Sequence, residues 1–113
     1  MKLIKAYIRH HKTEEVFLGL KAEGFGAMTM VECEGTGKYT DNEKLHLSEK
    51  YPFADSCKVT KLELLVPDSD LEKVADIIRE KGRTGHQGDG MILVSKIDEV
   101  HKIKNYDSGI EAI

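Results

Sequence analysis

Residues 58–66, KVTKLELLV, constrain the fold most, because their alternation fits a β-strand that buries only one of its faces. Leu62 and Leu64 fall on one side of such a strand, whereas Lys61 and Glu63 fall on the other. A strand of this kind belongs in a sheet that other elements cover on one face. The chain must therefore also contain elements that supply this cover.

Three further strands and two helices are predicted in the same way. Alternation in KLIKAYIR (2–9) and residues that suit a pleated sheet in AMTMVECEG (27–35) and MILVSKI (91–97) indicate strands. Apolar stripes at helical spacing predict one helix over 14–23 and another that ends near residue 82. The order β-α-β-β-α-β predicts the ferredoxin-like arrangement of the α+β class, a four-stranded antiparallel sheet with two helices on one face.

Both predicted helices carry sequence signals for their ends. Thr13 is expected to cap the first helix, and Ser69 with Glu72 is expected to form a capping box for the second. Gly24 and Gly82 are expected to end them.

The sheet face that points away from the helices is predicted to mix apolar and polar side chains. Such a face is too apolar to meet water alone and too polar to be a core, so we expect it to form half of a subunit interface. The side chains expected there include Tyr7, Thr29, Val31, Cys33 and Lys61.

Composition and charge are those of a small globular chain. Its 113 residues, 40% hydrophobic and 33% charged, predict one domain spanning 1–113. A net charge of −3 provides no field that would attract nucleic acid.

The sequence has no apolar run of the about 18 residues that a membrane span needs, and its start does not resemble a signal peptide, so we expect a cytoplasmic location. Cys33 and Cys57 lack CxxC spacing and are expected to be free thiols.

The stretch RTGHQGDG, residues 83–90, places three glycines around Asp89 directly before the fourth strand. Glycines let backbone N–H groups converge on an anion such as phosphate, but they also make ordinary tight turns. No Lys-Ser or Lys-Thr pair follows, so this is not a Walker A motif, and it opens a strand where a dinucleotide fingerprint would open a helix. Both interpretations, phosphate loop and tight turn, remain open at this point.

Two other features suit a phosphate chain. Gly35-Thr36-Gly37-Lys38 ends the second strand, and Lys102 and Lys104 alternate with Ile103 so that an extended backbone would put both ammonium groups on one side. Each could instead belong to a solvated surface. Together they favour a nucleotide polyphosphate as ligand.

Residues 36–57 form a connection that is long for two strands a short turn could join. Connections of this length are usually functional or disordered. Leu45, Leu47, Tyr51 and Phe53 could dock into a partner, and the alternative is a hairpin extension without a role.

No catalytic or metal-binding set is apparent. The histidines are scattered, and adjacent His10 and His11 at a strand end would point to opposite faces, so no metal site is predicted. The RNA-recognition fold has the same element order, but the third strand lacks the aromatic residues on which bases stack.

Five stretches carry a resemblance to a known family. They are MKLIKAYIR, GAMTMVE, a GxGR-like GTGK at 35–38, RTGHQGDG where the family has RTGxxGDGK, and GIEAI where it usually has GEDAI. Over nearly its whole length the chain resembles the PII signal-transduction proteins, trimeric regulators of nitrogen metabolism.

The resemblance implies a homotrimer that is not an enzyme and binds ATP or ADP, with Mg²⁺ as an optional companion, in clefts between subunits. Segment 82–90 would be the B-loop that holds phosphates, 36–57 the T-loop that acts on a transporter or enzyme, and 101–113 a C-terminal segment. The resemblance assigns nucleotide contacts to Thr29, Gly35, Thr36, Gly37, Lys38, Glu63, Leu65, Arg83, Gly88, Asp89, Gly90, Lys102 and Lys104.

Departures from the family pattern modify these expectations. Tyr39 replaces a glutamine that helps hold Mg²⁺ and 2-oxoglutarate, Met91 replaces a phosphate-contacting lysine, and Lys102 and Lys104 replace two arginines. Tyr51 lies near the family's uridylylated tyrosine in a different local sequence. The departures argue against 2-oxoglutarate binding and for an altered nucleotide affinity.

There are two alternative functions. One is a metal- or anion-responsive trimeric regulator without nucleotide dependence. The other is a small phosphatase, which is disfavoured because the sequence shows no nucleophile in a catalytic arrangement.

Overall fold

The computed structural model describes residues 1–37 and 58–113. Its strands form one antiparallel sheet in the order β2-β3-β1-β4, and both helices pack on one face of it, which confirms the predicted ferredoxin-like α+β fold. The principal elements are β1 (Lys2–Arg9), α1 (Thr13–Ala22), β2 (Thr29–Glu34), β3 (Lys58–Val66), α2 (Leu71–Gly82) and β4 (Met91–Lys96).

The core lies between the sheet and the two helices, and it follows from the alternation in the strands. Leu62, Leu64 and Val66 of β3 are buried, as are Ile4 and Ile8 of β1. The helices complete the core with Val16, Leu20, Val74 and Ile78. Full burial of one such side chain contributes about 1.5–3 kcal/mol, so the alternation fixes which face of the sheet the helices cover.

Both predicted helix caps are wrong, because short 3₁₀ turns lead into the helices. His10–Lys12 form one such turn instead of extending the strand, and Thr13 is already the first residue of α1. The Thr13 hydroxyl donates to the His10 carbonyl oxygen at 2.7 Å and lies 2.7 Å from the hydroxyl of buried Thr60. Thr13 therefore ties the 3₁₀ turn to β3, and no side-chain hydrogen bond caps α1.

The second helix begins in a similar way. Ser69 lies inside a 3₁₀ turn, Asp68–Asp70, and no side-chain hydrogen bond caps α2, so the predicted capping box does not form. The predicted ends are confirmed. Gly24 has a φ of 90° just after α1, and the next N–H, that of Phe25, donates to the Leu20 carbonyl at 2.9 Å.

The opposite face of the sheet is not covered by any described part of the chain. Val31 is 46% exposed and Met91 62%, and the strand register places Tyr7 on the same face, opposite both Lys61 and Met91. The mixed character predicted for this face is present, and its role as a subunit interface remains a prediction. Within the described ranges, neither helix has the length and apolar character needed to cross a bilayer.

Candidate functional site

The loop 83–90 is built around glycines that adopt backbone angles other residues avoid. Gly85, Gly88 and Gly90 have φ values of 87°, 95° and 95°. At Gly90 a side chain would also collide with the carbonyl oxygen of Tyr7 in β1. Glycine is therefore required at position 90 both for its φ and for the close approach of the loop to β1.

Asp89 points into this loop and holds it together. One carboxylate oxygen accepts hydrogen bonds from the Thr84 hydroxyl at 2.6 Å and from Arg9 Nε at 2.8 Å. The other accepts from the backbone N–H groups of Thr84 and Gly85, both at 2.9 Å. These bonds, with that of the Thr84 hydroxyl strongest and that of Arg9 next, hold the pKa of Asp89 well below its ordinary value. The side chain is therefore an ionised brace within the loop.

The bonds to Asp89 and Thr84 divide the loop into two halves. In the inner half, the N–H groups of Thr84 and Gly85 bind Asp89, and that of His86 donates to the Thr84 hydroxyl at 3.1 Å. In the outer half, the N–H groups of Gln87 and Gly88 donate to no acceptor in the described part of the chain. Unpartnered successive N–H groups next to glycines with positive φ can bind an anion.

Arg9 reaches the outer half from the end of β1. Its Nε bonds Asp89, and its Nη2 donates to the Gln87 carbonyl oxygen at 2.6 Å. Arg9 was not among the site residues predicted from the sequence, which placed it only at the end of the strand 2–9. A cationic residue at the last position of a strand next to a glycine-rich loop is a weak signal, because the sequence does not show which loop lies beside it.

The strand directions bring two of the predicted segments and the end of β1 to one end of the sheet. β1 and β2 both run antiparallel to β3, and β4 runs antiparallel to β1. The loop before β4, the end of β1 and Gly35–Gly37 after β2 therefore lie at the same end. Because β2 and β4 are the two outer strands of four, their backbones are separated by three strand spacings, or roughly 14 Å. Within one chain, the two glycine segments do not face each other directly.

Three other predicted residues lie near one another on the open face. Thr29 is opposite Glu63 in the register of β2 and β3, and Leu65 lies two residues further along β3 on the same face. The Glu63 carboxylate is 3.8 Å from the ammonium groups of Lys5 and Lys61. Thr29, Glu63 and Leu65 are separate from loop 83–90, so a single ligand would contact both only if it extended from one to the other.

The prediction for Lys102 and Lys104 rested on the family resemblance and on an alternation that assumed an extended backbone, and only the second premise is wrong. His101 pairs with Ser108, and the Lys102 N–H donates to the Asp107 carbonyl at 3.0 Å, so the intervening residues form a bend. Both lysines are exposed, and the neighbouring Ile103 and Tyr106 are fully exposed. The segment thus presents cations and apolar side chains away from the described part of its own chain.

Loop 83–90 borders a cleft of about 290 Å³ between α2 and the strands β1 and β4. Its lining combines apolar Ile8 and Ile78 with polar Arg83 and Asp89. Small-molecule pockets usually have about 300–1,000 Å³, so the volume of this cleft is at the lower end of that range.

No metal centre is evident among residues 1–37 and 58–113, where no three His, Cys, Asp or Glu side chains converge. Cys33 is a free, partly buried thiol as predicted. Other predicted positions lie outside the described residues, namely Lys38, Tyr39, Leu45, His46, Leu47, Tyr51, Phe53 and Cys57.

Comparisons with known proteins agree with the fold. The family model "Nitrogen regulatory protein P-II" matches residues 1–107. The chain is 34% identical over 113 residues to a nitrogen regulatory protein P-II of Pyropia yezoensis, covering 100% of both chains. It is 37% identical to nitrogen regulatory protein P-II 2 of Methanothermobacter thermautotrophicus, covering 100% of this chain and 97% of the relative. A P-II protein of Bradyrhizobium diazoefficiens is 34% identical over 113 residues.

Proposed function

This chain belongs to the nitrogen regulatory protein P-II family, and from that premise we propose that it is a homotrimeric regulator controlled by ATP or ADP. The nucleotide binds in a cleft between subunits, and the protein acts by binding a target and not by catalysis. The observation that carries this proposal is the set of unpartnered N–H groups in the outer half of loop 83–90.

The phosphates of the nucleotide are assigned to this outer half. Asp89 and Thr84 already use the N–H groups of the inner half, so Gln87 and Gly88 supply the donors. Lys102 and Lys104 of a neighbouring subunit add positive charge, since both are exposed and pair with no carboxylate in the described part of the chain. Their ammonium groups act as single-point charges and lack the bidentate grip of arginine.

The adenine is assigned to the open face, near Thr29, Glu63 and Leu65. One observation supports a cleft completed by a second subunit. The open face leaves apolar side chains such as Val31 and Met91 exposed. A neighbouring subunit would cover that face and enclose the adenine against it.

The output of the protein is assigned to segment 36–57, which would contact a transporter or an enzyme. Residues 38–57, including Tyr51, lie outside the described structure, so this assignment rests on the family and on the sequence. A nucleotide can signal only if ATP and ADP favour different states of this segment. A cytoplasmic location and optional Mg²⁺ binding are part of the same proposal.

Calorimetric titration with ATP, ADP and AMP, combined with light scattering, tests the proposal. We expect a trimer that binds ATP or ADP with micromolar affinity, and no strengthening by 2-oxoglutarate. A monomeric protein, or one that binds none of the nucleotides, would refute it. The same titrations include inorganic phosphate and Zn²⁺. Binding of either one by a trimer that ignores nucleotides would favour the metal- or anion-responsive regulator instead.

A further inference from the structure

Arg9 forms hydrogen bonds to two residues in the outer half of loop 83–90. Its Nε bonds the Asp89 carboxylate at 2.8 Å, and its Nη2 bonds the carbonyl oxygen of Gln87 at 2.6 Å. The planar guanidinium presents donors in a fixed fork, so these two bonds together set the position of the intervening residue, Gly88.

The bond to Gln87 also fixes the direction of a neighbouring donor. The Gln87 C=O and the Gly88 N–H belong to one planar peptide unit, in which the two groups point in opposite directions. Because the carbonyl points at Arg9, the Gly88 N–H points away from Arg9. This N–H is one of the unpartnered donors of the outer half.

Gly88 itself leaves little room for another arrangement. Its φ is 95°, and a Cβ there would lie 3.4 Å from Arg9 Nη2. The backbone of the loop therefore lies directly on the guanidinium. The arginine side chain is 27% exposed and the Asp89 carboxylate 24%, so the contact is partly shielded from water.

We propose that Arg9 is a positioning residue for phosphate binding, which acts by aiming the Gly88 N–H at the phosphate of a bound nucleotide. This inference rests on the proposed nucleotide function. Arg9 does not need to touch the ligand, because its two bonds to the loop carry the effect. Preorganised donors bind an anion more tightly than donors that must first be ordered.

Lysine cannot replace arginine in this role. Its ammonium group is a point charge that can reach the Asp89 carboxylate or the Gln87 carbonyl but lacks the fixed fork that holds both. Arg9→Lys should therefore keep the ion pair and lose control of the peptide unit, and Arg9→Met should lose both.

The test measures ATP affinity by calorimetry for the parent protein and for Arg9→Met, Arg9→Lys and Lys12→Met. Lys12→Met is the matched control, since it removes one positive charge three positions further along and Lys12 pairs only with Glu15 among the described residues. We expect Arg9→Met to weaken ATP binding about tenfold or more, corresponding to one lost hydrogen bond to a charged group. The ATP affinity of Arg9→Lys should lie between those of the parent and of Arg9→Met, and Lys12→Met should bind ATP with the affinity of the parent.

A spectroscopic measurement separates positioning from general loss of structure. In ¹H–¹⁵N spectra of the parent, ATP should shift the Gly88 amide strongly, whereas in Arg9→Lys this shift should shrink while those of distant core amides stay unchanged. If Arg9→Met does not fold, Arg9→Lys alone decides the question. Parent-like ATP affinity and Gly88 shift in Arg9→Lys would overturn the inference and leave nucleotide binding intact. A parent protein that binds no nucleotide would instead overturn the proposed function, and the inference with it.

Discussion

Arg9 and Asp89 are 80 positions apart in sequence, yet their side chains meet at 2.8 Å and join the end of β1 to the loop before β4. The Asp89 carboxylate accepts four hydrogen bonds in all, three of them from Thr84 and Gly85. This arrangement makes Asp89 a structural residue of the loop, and several measurable consequences depend on it.

Replacing Asp89 by asparagine should destabilise the protein. The amide group places N–H donors where Thr84, Gly85 and Arg9 donate, so at least two of their bonds are lost, and we expect about 1–3 kcal/mol lower free energy of unfolding. Urea denaturation measures this. Asp76→Asn is the control, because Asp76 is exposed and pairs only with Arg79 in the described structure. An equal change in both variants would contradict the bracing role of Asp89.

The lowered pKa of Asp89 should make the free energy of unfolding depend on pH. Because hydrogen bonds to the Thr84 hydroxyl and to Arg9 lower the pKa of Asp89 in the folded state, its stabilising contribution is fully present above the unfolded value of about 3.9. It is lost as the pH falls from there toward the lower folded-state pKa. The difference in unfolding free energy between the parent and Asp89→Asn should thus be constant near neutrality and shrink below about pH 4. A difference that does not change in acid would argue against the lowered pKa.

Much of the fold can be predicted from the sequence, because alternation and glycine signals act locally. The strand at 58–66 has the predicted bounds, and Gly24 and Gly82 end their helices as predicted. The Thr13 and Ser69 caps were wrong, since 3₁₀ turns precede both helices and Thr13 uses its hydroxyl to contact Thr60. That contact joins distant segments, and no local pattern reveals it.

The candidate site was less predictable for the same reason. The glycines of loop 83–90 were visible in the sequence, but the division of its donors depends on where the Asp89 side chain points. The role of Arg9 depends on the strand register, which places the end of β1 beside this loop. The bend at 101–108 depends on pairing between His101 and Ser108, which an alternation of two lysines does not indicate.

Substitutions at two glycines of one loop should separate backbone strain from steric collision. Gly85→Ala forces a side chain onto a φ of 87° in open space, so we expect a loss of about 1–2 kcal/mol. Gly90→Ala carries the same strain and also collides with the Tyr7 carbonyl, so its loss should be larger. Urea denaturation of both variants measures the difference. Equal losses would mean that the loop can move away from β1 at little cost.

Substitution of two leucines of β3, Leu62 and Leu65, should change stability by different amounts because their side chains face opposite sides of the sheet. Leu62 is fully buried, so Leu62→Ala should lower the free energy of unfolding by about 2–5 kcal/mol. Leu65 lies on the open face and is only partly buried, so Leu65→Ala should affect unfolding less. If that face is a subunit interface, Leu65→Ala should also weaken the oligomer, which dilution followed by light scattering would detect. An oligomer unaffected by Leu65→Ala would indicate that this part of the face is not in the interface.

Removing the charge of Lys102 should weaken nucleotide binding without changing the oligomer. The side chain is exposed and its backbone N–H is fixed by the Asp107 carbonyl, so Lys102→Ala should leave the bend intact. An ammonium group near a phosphate in a partly hydrated cleft contributes about 1 kcal/mol, so we expect roughly fivefold weaker ATP binding at low salt and a smaller effect at high salt. Lys96→Ala is the control, since Lys96 is also exposed but lies at the other end of β4 from the loop. If the two variants bind ATP equally well at low salt, the weakening cannot be assigned to Lys102, and the C-terminal segment does not reach the phosphates.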